Sequence, residues 1–352
     1  MPYGRLADPD CTLRTDPRAD PRMVKLLAQF DLDIPAPPPP VTVDSPLDAR
    51  RAYFSASEQE NGAIFDTLAQ AMPTVEGAAT TTTTITSDDG NDITLYIHRP
   101  RKSGSGLPGV VHLHGGGMAI CTAADPLYMH IREYLAATGL VVVGVEFRNS
   151  AGKLGPHPYP AGLNDCAAAT RWVAANRNSL GITHLIVSGE SGGGNLTLTV
   201  GHKAKRDGWL DEIAGLYAMC PYISNRWRDR PDDLMSLREC DGYFIGCEDL
   251  ALMGSIYDPT QEHAHDATAF AGMASDHELT GLPPHVISVN ELDPLRDEGL
   301  AYYRRLVRAG VPTAGRMVAG TCHGGDLLVA GAMPEVFEST MRDVSGFAKS
   351  LA

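Results

Sequence analysis

The chain has 352 residues, 43% of them hydrophobic and 20% charged, and carries a formal net charge of −14. That length suffices for one large core with an appended lid, and so ordinary a composition excludes a disordered or fibrous chain. The acidic balance argues against partners that are nucleic acids or anionic membranes, and no stretch is long and apolar enough to span a bilayer. The seven cysteines are odd in number and show no C-x-x-C spacing, so they read as buried free thiols in a reducing compartment. With no apolar h-region in residues 1–11, a cytoplasmic address is expected.

Along the first 40 residues proline recurs, ending in Ala36 and Pro37 to Pro40, which predicts a stiff extended linker. Residues 45–72 read as a helix, with Ala49, Tyr53, Ile64, Leu68 and Ala71 on compatible faces and Pro73 as its stop. The threonine tract at 80–84 leads into Ile85, a turn around Gly90, and the run Ile93 to Ile97; a strand, turn and strand are predicted. From Leu107 onward, apolar runs alternate with helical patterns. Val110 to Leu113, Leu140 to Val145, His184 to Ser188, Ile213 to Met219, Val286 to Val289 and Gly315 to Val318 read as strands, the second as one buried on both faces of a parallel sheet. Asp297 and Glu298 open a helix that ends at Gly310, and Pro334 opens a last one with Phe337, Met341, Val344 and Ala348 as its buried stripe. This alternation predicts an α/β fold with a mostly parallel sheet. Residues 222–283 break the rhythm and read as an insertion folding over the sheet as a helical cap.

Three motifs carry chemistry. Gly189, Glu190, Ser191, Gly192 and Gly193 form a G-x-S-x-G directly after a strand, the setting of a serine exposed on a strained strand-to-helix turn. Upstream, His114 is followed by Gly115, Gly116 and Gly117, just past another strand, where backbone N–H groups can converge on one oxygen. Downstream, Asp293 and Asp297 follow one strand and His323 the last. Carboxylates and a histidine at strand C-terminal ends, in the order Ser…Asp…His, fit a nucleophile, an orienting acid and a base.

On these motifs, with Glu146-Phe147-Arg148-Asn149 and His157-Pro158-Tyr159-Pro160, the chain resembles the hormone-sensitive-lipase-like branch of the α/β-hydrolases, the bacterial HGGG esterases, from about residue 80 to the end. The resemblance implies an eight-stranded twisted sheet flanked by helices, with residues 80–221 and 284–352 as the catalytic core and 1–79 joining 222–283 in the cap. It implies Ser191 as nucleophile, His323 as general base, Asp293 as its orienting acid, and the amides of Gly116, Gly117 and Gly192 as an oxyanion hole. His114 is left to shape its loop and Asp297 to cap the following helix. The implied activity is hydrolysis of a small-molecule ester with short to medium acyl chains, or of a small lactone, with neither cofactor nor metal; homodimerisation stays open. Met118 stands where many relatives have an aromatic residue, so acyl preference is not carried over. Met118, Tyr222, Tyr243, Phe244 and Met253 are the pocket candidates.

Other classes fit less well. A nicotinamide-dependent oxidoreductase would use the glycines after the strand and Glu146 as the ribose acid, but Ile120 occupies the third glycine's place. A metal hydrolase would draw on His112 and His114, or on His263, His265 and Asp266, and either set lacks further ligands. A non-catalytic ligand-binding protein on a hydrolase fold could dispense with a triad member, and this chain keeps all three.

Overall fold

The computed structural model describes residues 3–102, 104 and 106–351. Helix α1 (Leu47–Gln70) precedes an antiparallel pair, β1 (Ala78–Thr86) and β2 (Asp92–Pro100). Strands and helices then alternate: β3 (Leu107–Leu113), α2 (Pro126–Ala137), β4 (Val141–Val145), α3 (Ala161–Ala175), β5 (Ile182–Glu190), α4 (Gly192–Asp207) and β6 (Gly215–Met219). After the insertion, which contains α5 (Cys247–Tyr257), come β7 (His285–Leu292), α6 (Arg296–Arg308), β8 (Thr313–Cys322) and α7 (Pro334–Ser350). The sheet has eight strands in the order β1-β2-β4-β3-β5-β6-β7-β8, and every pairing from β4 to β8 is parallel.

Side chains alternate across a strand, so a strand buried on both faces must be apolar throughout. Val110, Val142 and Ile186 join one core cluster, their neighbours Val111, Val143 and Val187 join another, and all six are fully buried. Each such burial contributes roughly 1.5–3 kcal/mol. The stripe expected on the last helix is present, with Phe337, Met341, Val344 and Ala348 all inaccessible and Pro334 in its first turn. Helix α2 was not anticipated, although Pro126 opens it and Leu127, Ile131 and Leu135 line its buried face at every fourth residue.

The N-terminal 40 residues are more than a linker. A short helix, Pro21–Leu27, follows an Asp20 cap, and Leu13, Met23 and Leu27 are fully buried against Tyr243, Leu292 and Cys322. The insertion carries one eleven-residue helix, α5, with short helical pieces at Ser236–Glu239, Ala271–Met273 and Asp276–Leu279. Polar contacts fasten it. Glu239 meets Arg18 at 2.5 Å and Arg296 at 2.9 Å, joining the N-terminal segment, the insertion and α6. Helices α1 and α5 are bridged by Tyr53 Oη, which donates to Asp249 Oδ1 at 2.9 Å, and by Arg50 Nη1, which donates to Ser255 O at 2.9 Å.

Candidate active site

Ser191 stands between β5 and α4 at φ 55° and ψ −118°, a backbone strain that such a turn imposes on a non-glycine residue. Close approach dictates its surroundings: a Cβ on Gly193 would lie 1.9 Å from the Leu113 carbonyl oxygen. Ser191 N donates to Met219 O at 2.9 Å, tying the turn to the end of β6.

The three sequence-derived residues meet although Ser191 and His323 are 132 residues apart. His323 Nε2 is 2.9 Å from Ser191 Oγ, and His323 Nδ1 is 2.8 Å from Asp293 Oδ2. Asp293 is fully buried at the end of β7, and its second oxygen accepts from Leu295 N at 2.9 Å. A carboxylate so held presents one oxygen to the imidazole and leaves Nε2 facing the serine, the arrangement a general base requires. Asn290 secures the histidine's loop, a role that sequence reading missed. Its Oδ1 accepts from Gly324 N at 3.2 Å, and its Nδ2 donates to Thr321 Oγ1 and Asp326 Oδ1 at 2.7 and 2.9 Å.

The glycine turn lies against the serine turn. A Cβ on Gly192 would come within 2.6 Å of Met118 N and 2.7 Å of Gly117 N, so the three glycines proposed as donors are brought together. Gly117 has φ 62°, and a Cβ there would meet Met253 Sδ at 2.3 Å. Glu190, beside Ser191, anchors this turn: Oε1 accepts from Gly115 N at 3.0 Å and Oε2 lies 3.0 Å from His112 Nε2. His114 shapes the loop as expected. Its Nδ1 contacts Gly115 O at 2.8 Å, it stacks on Phe147 with centroids 4.2 Å apart, and burial pushes its pKa down to about 4.

Ser191, His323, Gly116 and Gly117 open onto a cavity of about 290 Å³ with mainly apolar walls, among them Phe54, Ile64, Leu127 and Leu328. Three of the five pocket candidates line it, Tyr222, Phe244 and Met253. The other two do not. Met118 has φ 57°, and its buried side chain lies in the core, with Sδ 3.9 Å from Asn195 Nδ2. Tyr243 is fully buried against the N-terminal segment and donates to Asp16 Oδ2 at 3.1 Å. Helix α1 supplies Tyr53, Ser57 and Asn61 to the same cavity, one residue in four along one face.

Asp297 does not cap its own helix. Its Oδ2 accepts from Ser236 N at 2.8 Å and its Oδ1 from Arg296 Nε at 2.9 Å, because the insertion returns across the start of α6. Glu298 turns inward and accepts from Ile223 N, Ser224 Oγ and Trp227 Nε1 at 2.6, 2.5 and 2.9 Å; burial pushes its pKa up to about 7. Glu146, the acid of the nicotinamide reading, is occupied by Ala123 N at 2.7 Å and Tyr96 Oη at 3.1 Å. Among the described residues, the group of metal-compatible spacing is Cys220, Asp293 and His323, but Asp293 and Ser191 occupy both ring nitrogens of that histidine.

Residues 110–326 match the family described as alpha/beta hydrolase fold, well over half of the chain. The chain belongs to that family. Within it, carboxylesterase NlhH of Mycobacterium tuberculosis is 30% identical over 280 residues, covering 76% of this chain and 82% of the relative. The solved structure of brefeldin A esterase, a bacterial homologue of human hormone sensitive lipase, matches with a TM-score of 0.97 at 47% identity, covering 100% of this chain and 99% of that one. That of esterase Est22 matches at 0.85 and 34% identity, covering 96% and 99%. This α/β hydrolase is therefore an enzyme of the esterase group. Among its described residues, no helix is long and apolar enough to cross a membrane.

Proposed function

We propose that this enzyme hydrolyses short- to medium-chain acyl esters, or a small lactone, by two-step acyl transfer. The observation that carries the reading is His323, placed 2.9 Å from Ser191 Oγ and 2.8 Å from Asp293 Oδ2. Ser191 Oγ attacks the carbonyl carbon while His323 Nε2 takes its proton. The oxyanion is received by the amides of Gly116, Gly117 and Gly192. As the ester bond breaks, the alcohol leaves with the proton from His323. Water then gives a proton to the same nitrogen and attacks the acyl carbon; the bond from that carbon to Ser191 Oγ breaks, the acid leaves, and His323 Nε2 returns the proton to Ser191 Oγ.

The cavity supports the acyl range. Its volume of about 290 Å³ lies just below the span of about 300–1,000 Å³ usual for small-molecule sites. Walls from α1 and α5 support a division in which residues 1–79 and 222–283 form the cap over a core of 80–221 and 284–352. The seven cysteines, all buried and free, support a cytoplasmic address. Brefeldin A, named with one relative, makes a lactone a candidate substrate here.

Labelling with a fluorophosphonate, located by mass spectrometry, tests the nucleophile. Modification at Ser191 and a loss of several orders of magnitude in kcat for Ser191→Ala are expected. Turnover by the purified variant within about tenfold of wild type would sink the reading of Ser191 as nucleophile; a wild-type protein that neither labels nor turns over would leave a ligand-binding protein as the alternative.

A further inference from the structure

Helix α1 has two working faces. Tyr53, Ser57 and Asn61 look into the cavity, as does the buried Phe54, while Glu58 is buried toward the loops of the sheet. A carboxylate on a buried helix face needs partners, and Glu58 finds them in two backbone amides of the core. Oε1 accepts from Cys121 N at 2.7 Å and Oε2 from Lys153 N at 2.8 Å. Room for this is made at Gly152, where a Cβ would lie 2.7 Å from Oε2.

Both amides belong to one frame. Ser150 N donates to Met118 O at 3.0 Å, Ala151 N to Ala119 O at 2.9 Å, and Asn149 Nδ2 to Cys121 O at 2.7 Å, lacing residues 118–121 to residues 149–151. Residues 116–120 close on themselves, with Ala119 N and Ile120 N both bonded to Gly116 O at 2.9 and 3.1 Å. The turn bearing Gly116 and Gly117 is thus held by a carboxylate near each end. Glu190 holds Gly115 from the nucleophile's strand, and Glu58 holds Cys121 from helix α1.

We infer that Glu58 is a positioning residue that couples the seating of helix α1 to the amides of Gly116 and Gly117. This rests on the acyl-transfer reading above. Donors of an oxyanion hole act only if fixed where the charge develops, and an error of about 1 Å can cost 10²-fold. A substrate that fills the cavity presses on the same helix whose other face holds the oxyanion turn. Its fit is thereby reported to the amides through one side chain.

The test is Glu58→Gln in the full chain, which keeps the shape but sets an amide N–H against one of the two backbone donors. Expected is a fall of about 10- to 100-fold in kcat for p-nitrophenyl butyrate with KM changed less than about threefold. Affinity for a trifluoromethyl ketone, whose adduct places an oxyanion in the hole, should fall by the same factor as kcat/KM. Inhibition by butyrate, which forms no tetrahedral adduct, should hold steady. A folded variant that loses thermal stability alone, with kcat within threefold of wild type well below its melting temperature, overturns the inference. If Glu58→Gln does not fold, Gly152→Ala displaces the carboxylate from the opposite side, and an unchanged kcat in that folded variant overturns it equally. Failure of the wild-type enzyme to label at Ser191 would instead refute the acyl-transfer reading and be recognisable as such.

Discussion

Asp293→Asn isolates what the carboxylate does for His323, because the structure dictates how the new amide must lie. Leu295 N donates to Asp293 Oδ1 at 2.9 Å and can face only an oxygen, so the asparagine carbonyl takes that place. Its NH₂ group then occupies the position of Oδ2, 2.8 Å from His323 Nδ1, and donates to it. The imidazole proton is forced onto Nε2, which already faces Ser191 Oγ at 2.9 Å and can no longer accept the serine proton. Both hydrogen bonds of residue 293 survive, so unfolding free energy should change by no more than about 1 kcal/mol. The loss in kcat should reach roughly 10⁴-fold, about 5 kcal/mol of transition-state stabilisation. The assay is kcat for p-nitrophenyl butyrate, with urea unfolding of the same preparations. A kcat loss under about tenfold would refute the tautomer reasoning, as would a loss of catalysis that merely tracks unfolding.

Asp297→Asn is the paired control: one of the donors Ser236 N and Arg296 Nε loses its acceptor, so urea unfolding should show a loss of about 1–3 kcal/mol while kcat stays within a few-fold. A larger kcat loss at 297 than at 293 would reverse the assignment of the acid. Glu298, with its pKa raised from 4.5 to about 7, favours folding most when protonated. Its contribution is complete below about pH 4.5 and is lost as pH rises to about 7, on the order of 3 kcal/mol; Glu298→Gln should flatten that slope in urea titrations across the window, and an unaltered slope would contradict it. Gly117→Ala places a methyl 2.3 Å from Met253 Sδ at φ 62°, and should cost about 1–3 kcal/mol of stability with a kcat loss of tenfold or more, read from unfolding and turnover together. Across an acyl series, kcat/KM should peak between about two and eight carbons, given the cavity of about 290 Å³; a steady climb to sixteen-carbon esters would rule out a closed pocket.

The sheet and the geometry of the candidate site were legible because their causes are local. A run such as Val141 to Val145 can be apolar at every position only if both faces are covered, and a glycine must sit wherever Leu113 O approaches within 2 Å of a would-be Cβ. Asp293 and His323 were readable from their places after strands. What could not be read depends on distant partners. Tyr243 looked like a pocket aromatic, but its hydroxyl is claimed by Asp16, 227 residues earlier. Met118 directly follows Gly117 in sequence, yet a positive φ turns it into the core. Asp297 and Glu298 show only a first-turn acid pattern, whereas each is bonded by groups of the insertion, Ser236 N for Asp297 and Ile223 N for Glu298 among them. The polar side of the cavity was half visible, with Tyr53 placed on the helix but Ser57, Asn61 and Asp249 given no role.

The burial of Leu13, Met23 and Leu27 against Tyr243, Leu292 and Cys322 sets an order for biosynthesis. These apolar residues are made before the surfaces that cover them, with 216 positions separating Leu27 from Tyr243. During translation this segment must wait, exposed, until Cys322 has been made, and only then closes against the sheet. Trimming it would uncover the apolar face formed by Tyr243, Leu292 and Cys322, so a shortened enzyme would be expected to aggregate.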